Sequence, residues 1–107
     1  MDKRSNGQWV RELRGEAGAE AQREAHRALA GYLYVVVFNY LRMRQGQIAA
    51  LARFGADEVA ALAQDFVQDT LERLARERFA LLEQYRGSGN FTGWAAQIAR
   101  SVAAQEL

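Results

Sequence analysis

Cysteine and proline are both missing from the 107 residues, and histidine occurs once, as His26. Without cysteine there can be no disulfide scaffold, no thiolate metal site and no thiol nucleophile. Bridges therefore say nothing about redox compartment, and a cytoplasmic location is the default expectation. Without proline, only glycine punctuates the helices. With one histidine and no HExxH, GxSxG or Walker spacing, triad hydrolysis and P-loop chemistry drop out. The expectation is a protein that is not an enzyme and needs no cofactor. No stretch approaches the roughly 18 consecutive apolar residues of a membrane span, and the opening MDKRSNGQWVREL lacks the apolar run of a signal peptide. The chain is expected to be soluble, not exported and without membrane contact.

What remains is rich in alanine and arginine. A length of 107 residues fits one domain, 1–107, and half of the residues are hydrophobic, enough for a core. The net charge is only +1, but its distribution is uneven: residues 1–56 carry nine cations against five acids, residues 57–84 three against seven. Two partners of opposite charge are conceivable. Thirteen of the fourteen cations are arginine, which suits bidentate contact with phosphate or carboxylate, although codon usage would explain the bias equally well.

The pattern along the chain is helical throughout. A short helix over Gln8–Arg14 puts Trp9, Val10 and Leu13 on one face, and Gly15 and Gly18 loosen the chain after it. A long helix runs from Ala19 to about Arg44. Its second half, GYLYVVVFNYL, has strand-like composition, but no alternating partner strand exists elsewhere, so a buried helix is preferred. Residues 45–56 read as a connector with one or two helical turns. From Asp57, a suitable N-cap, the sequence is strongly amphipathic. At 100° per residue Val59, Leu62, Ala63, Phe66, Val67, Thr70, Leu71 and Leu74 share one half of the surface. The opposite arc collects Asp57, Glu58, Gln64, Asp65, Gln68, Asp69 and Glu72, and between residues 57 and 72 no cation balances its five acids. A solvated face usually interleaves Lys or Arg at i+4. Then follows Tyr85-Arg-Gly-Ser-Gly-Asn-Phe-Thr-Gly-Trp94, a glycine-rich aromatic loop, and a last helix capped by Thr92 with Trp94, Ile98 and Val102 at i, i+4, i+8. The fold class expected is all-α: a compact bundle of three main helices plus short ones.

Each feature has a plain alternative. RGSGNF lacks the lysine and Ser/Thr of a phosphate loop and is better read as a turn. Asp65 and Asp69 lie one helical turn apart, but solvation explains two such acids far more often than a metal ion does. His26, between Ala25 and Arg27 on a polar surface, reads as surface filler.

In their order, however, the acidic helix and the aromatic loop carry a more specific signal. AQDFVQDTLERL followed by YRGSGNFTGWAAQIARSVA resembles the second conserved region of sigma-70-family transcription initiation factors, especially the small extracytoplasmic-function type. Asp65, Val67, Gln68, Asp69, Tyr85, Arg86, Gly87, Phe91, Trp94, Ile98 and Ala99 match in register. The similarity covers residues 57–104 and is loose upstream, where the long helix would be the family's first core helix. The resemblance implies that the chain binds core RNA polymerase, with Asp65, Gln68, Asp69 and Glu72 docking on the β′ clamp helices. It further implies that the loop and last helix capture the non-template strand of the minus-ten promoter element with a base flipped out. Tyr85, Arg86, Ser88, Gly89, Asn90 and Phe91 would contribute from the loop, and Gln97, Arg100 and Ser101 from the helix. Phe91 and Trp94 have core packing as their alternative role, which for Trp94 is the preferred one. An anti-sigma factor covering the same surfaces is a further partner by family analogy, although no residue here names one. The chain departs from the family in having Ser101 where Asn is common, little bulk in the AAQ after Trp94, and no counterpart of the C-terminal promoter-reading domain. The competing expectation is a sigma-derived helical interaction module that binds protein and not DNA.

Overall fold

A computed structural model describes residues 4–79 and 90–107, apart from the side chains of residues 50 and 77–79. Four helices follow one another in these residues: α1 (Asn6–Leu13), α2 (Ala19–Arg44), α3 (Ala56–Phe79) and α4 (Phe91–Glu106), with a single 3-10 turn at Ala49–Leu51. No strand occurs among the described residues. The fold class is therefore all-α, as expected.

α2 is the axis of the bundle, and α1, α3 and α4 all pack against it. Its 26 residues span about 39 Å at 1.5 Å per residue, close to the 44 Å long dimension of the molecule. Ala25, Leu29, Leu33, Val37 and Leu41 recur every fourth residue along it and are fully covered. The segment with strand-like composition is thus helical, and it is buried on one side only. Leu33, Val37 and Leu41 point into the core, whereas Tyr32 and Val35 are 41 % and 55 % exposed. Tertiary packing overrides the β propensity of the branched and aromatic residues, because one covered stripe satisfies a helix where a strand would need hydrogen-bonded neighbours.

α3 supplies Val59, Ala63, Phe66, Val67, Leu71 and Leu74 to the core, with Leu62 half-buried at its margin. Thr70 is buried there too, and its hydroxyl donates to the Phe66 carbonyl at 2.8 Å, so this hydroxyl is not orphaned. α4 faces them with Ala95, Ala96, Ala99, Val102 and Ala103, small side chains that let the helix approach α2 and α3 closely.

The ends of the elements differ in detail from expectation. α1 starts two residues earlier, because Ser5 and Gln8 form a capping box: the Ser5 hydroxyl accepts from the Gln8 amide at 3.1 Å, and the Gln8 side chain accepts from the Ser5 amide. Its other end closes with Gly15 amide to Glu12 carbonyl and Glu16 amide to Arg11 carbonyl, and the φ of +81° at Gly15 makes that closure possible. Gln22 of α2 donates to the freed Leu13 carbonyl at 2.9 Å, which binds the two helices at this corner. Asp57 is not the N-cap of α3. The helix begins at Ala56, and Asp57 and Glu58 lie in its first turn, where carboxylates favour the helix dipole. Nor is Thr92 the cap of α4. That role falls to Asn90, whose side-chain oxygen accepts from the Thr92 amide at 2.9 Å and the Thr92 hydroxyl at 2.6 Å.

Candidate functional site

Two surfaces carry the residues singled out by sequence. The first is the outer arc of α3. Asp57, Glu58, Gln64, Asp65, Gln68 and Glu72 are all exposed, and Asp69 is half-buried. The apolar half of the same helix is consumed by the core, so the arc presents polar groups on a rigid support. Ion pairs among the described residues include Arg4 with Glu12 and Arg27 with Glu24, on α1 and α2; no described cation pairs with Asp65, Asp69 or Glu72. Asp69 meets α4 instead. Its carboxyl hydrogen-bonds the Glu106 side chain, and this bond, some desolvation and the repulsion of the Asp69 charge raise the Glu106 pKa, against a lowering contribution from Arg73. Beside them Arg73 donates to the Gln105 side chain at 3.3 Å. The acidic arc thus runs up to the end of α4.

The second surface is α4 with the segment before it. Tyr85, Arg86, Ser88 and Gly89 lie outside the described residues, as does Gly87 of the matching motif. Gln97, Arg100 and Ser101 are exposed as a ridge on one side of α4. Asn90 is exposed as well, with its oxygen engaged in the cap. On the α3 side of this ridge runs a groove of about 540 Å³, walled by Arg73, Arg76, Trp94, Ile98 and Ser101 among others.

Phe91 requires a correction. Expected among the nucleic-acid contacts, it is completely buried, the largest fully covered side chain of the described residues. Its ring stacks on Trp9 with centroids 5.6 Å apart and is tilted against Trp94 at the same distance. Its amide donates to the Asn6 side chain at 3.0 Å. Phe91 has no face left for a base, and its work is to fix the start of α4. Trp94, half-buried against the core, combines packing with a wall of the groove.

α1 contributes residues that the sequence pattern does not single out for a site. Asn6 and Trp9 hold the first turn of α4, while Arg4 lies 4.9 Å above the Trp9 ring and donates to the buried Glu12 carboxylate at 2.9 Å. The capping-box spacing Ser5-x-x-Gln8 is the local signal that marks where this helix begins.

Among the described residues no group of three or more His, Asp or Glu side chains is placed to hold a metal ion, and no helix is long and apolar enough to cross a membrane. His26 is exposed beside Arg23 and Arg27. Against protein-family models, curated proteins and solved structures, the chain finds no match.

Proposed function

We propose that this chain is the polymerase-binding and promoter-opening domain of a bacterial sigma-type initiation factor, acting in the cytosol and leaving catalysis to the polymerase. One observation carries the proposal: the uncompensated acidic arc of α3, with Asp65, Gln68 and Glu72 exposed and Asp69 at its edge, stands on a helix locked into the core from behind. Three carboxylates and one amide held at fixed spacing suit a basic coiled coil, because charge complementarity steers encounter and sets register. By the resemblance of the sequence motif to the sigma second region, the β′ clamp helices would lie opposite these residues. The polar ridge Gln97, Arg100 and Ser101 would then face the displaced promoter strand, in company with the loop residues Tyr85, Arg86, Ser88 and Gly89.

The test is binding of the whole chain to a purified β′ clamp-helix fragment at low and high salt. Saturable, salt-sensitive binding that Gln68→Ala with Asp69→Ala weakens at least tenfold, with the melting temperature nearly unchanged, is expected. A folded chain that does not bind overturns the proposal, and a variant that no longer folds assigns the pair to structure.

Burial of Phe91 favours one competing reading, a helical interaction module without DNA binding, since it removes an expected base contact. Gln97→Ala discriminates: unchanged affinity for a minus-ten non-template oligonucleotide, with purely salt-driven binding, would establish the module.

A further inference from the structure

On the side of α4 away from α3 lies a second groove, of about 420 Å³, formed by Val36, Asn39, Tyr40, Met43 and Arg44 of α2 with Arg100 of α4. The two helices meet here through segments that contain no acid at all: residues 25–56 hold neither Asp nor Glu, and neither do residues 84–105. Arg44 and Arg100 line this groove from separate helices, both exposed and without a carboxylate partner among the described residues. The Arg44 guanidinium lies over the Tyr40 ring, 5.1 Å from its centroid, and Met43 beside it is 80 % exposed. Two cations, a preformed aromatic and guanidinium stack, an apolar wall and the Asn39 amide thus converge in one concavity.

We infer that this groove is a subsite for single-stranded nucleic acid, in which the Tyr40 and Arg44 stack receives a base and Arg44 with Arg100 holds the flanking phosphates. Bases stack on aromatic rings and on guanidinium planes alike. Val36 and Met43 accept the flat apolar face, and Asn39 offers one donor and one acceptor group to a base edge. A duplex keeps its bases inside, so a concavity of this shape favours an unpaired strand. The subsite adjoins the α4 ridge through Arg100, so a strand bound there would cross α4 and continue onto α2. This inference rests on the proposed function and extends its DNA contacts to a helix outside the matched motif.

The experiment uses the whole chain and a labelled single-stranded DNA of about 12 nucleotides, within the usual span of such sites, titrated at several salt concentrations. Tyr40→Ala should weaken binding roughly 5- to 150-fold, the loss that goes with one base stack. Because Tyr40 also touches the core, the exposed positions provide the control. Arg100→Ala should lower affinity and reduce the slope of log affinity against log salt by about 0.7. Arg44→Lys should keep the salt slope and lose affinity, since the charge remains and the plane does not. Clamp-helix binding should stay at the parent level in all three. If Tyr40→Ala and Arg44→Lys bind the strand like the parent while Gln97→Ala weakens it, the groove is overturned and the proposed function stands. If the parent binds no strand, both fall. If an acidic amphipathic peptide occupies the groove and DNA does not compete, the groove is a protein dock and the inference is wrong.

Discussion

Phe91 shows how much a single side chain can change role between sequence and fold. Flanked by Asn90, Thr92 and Gly93 it has the surroundings of a loop residue, yet its ring is sealed between Trp9 and Trp94. Two capping side chains stand two positions apart, and nothing local chooses between Asn90 and Thr92. The choice is made by Asn6, which takes the Phe91 amide from 85 residues away. Periodicity could reveal Trp94, Ile98 and Val102 as one stripe, but it could not reveal a contact of that range. Phe91→Ala is therefore expected to cost about 3–5 kcal/mol in urea denaturation, a large share of the roughly 5–15 kcal/mol that holds a domain together. Gln97→Ala on the outer ridge should stay within about 0.5 kcal/mol, and a reversal of that order would contradict the assignment of Phe91 to the core.

At the scale of elements the sequence is more transparent. The limits of α2 agree with the expected helix from Ala19 to Arg44, because Gly18 and Gly46 bracket an uninterrupted run. The acidic arc of α3 lies outside, as its angular placement demands, and only Asp69 departs from full exposure. That departure comes from α4, whose end no local pattern positions. There the Glu106 carboxyl sits against Asp69 at a helix C-terminus, where negative charge is also disfavoured by the dipole. A raised folded-state pKa means that folding favours the protonated acid. The contribution is fully present below the ordinary carboxylate value and is lost as pH rises through the folded one. Glu106→Gln should thus melt no lower than the parent at neutral pH, with the difference vanishing near about pH 3. Thermal melts at the two pH values test this, and a variant less stable at neutral pH would show that the ionised Glu106 is held by Arg73 instead.

Across the whole molecule the charge is arranged as two poles rather than a sum. The net charge of +1 conceals the acid-free stretches 25–56 and 84–105 on one hand and the cation-free stretch 57–72 on the other. The bundle keeps them on different surfaces, with the acids along α3 and Arg44 and Arg100 where α2 meets α4. Both binding equilibria proposed above should therefore weaken between about 50 and 200 mM salt; an affinity for either partner that ignores salt would mean that apolar burial drives it. The uneven halves are visible in the sequence, whereas the meeting of Arg44 and Arg100 is not, because it depends on how two helices cross.

The clasp between Asn6, Trp9 and Phe91 also sets an order of events. A chain made at about 5–20 residues per second exposes the Trp9 ring for several seconds before its stacking partner has been synthesised. α2 and α3 can find each other as they emerge, but α1 cannot complete its docking until α4 follows. The contact of α1 with α2 can form early, but α4 acquires its fixed start only once Phe91 has reached Asn6 and Trp9.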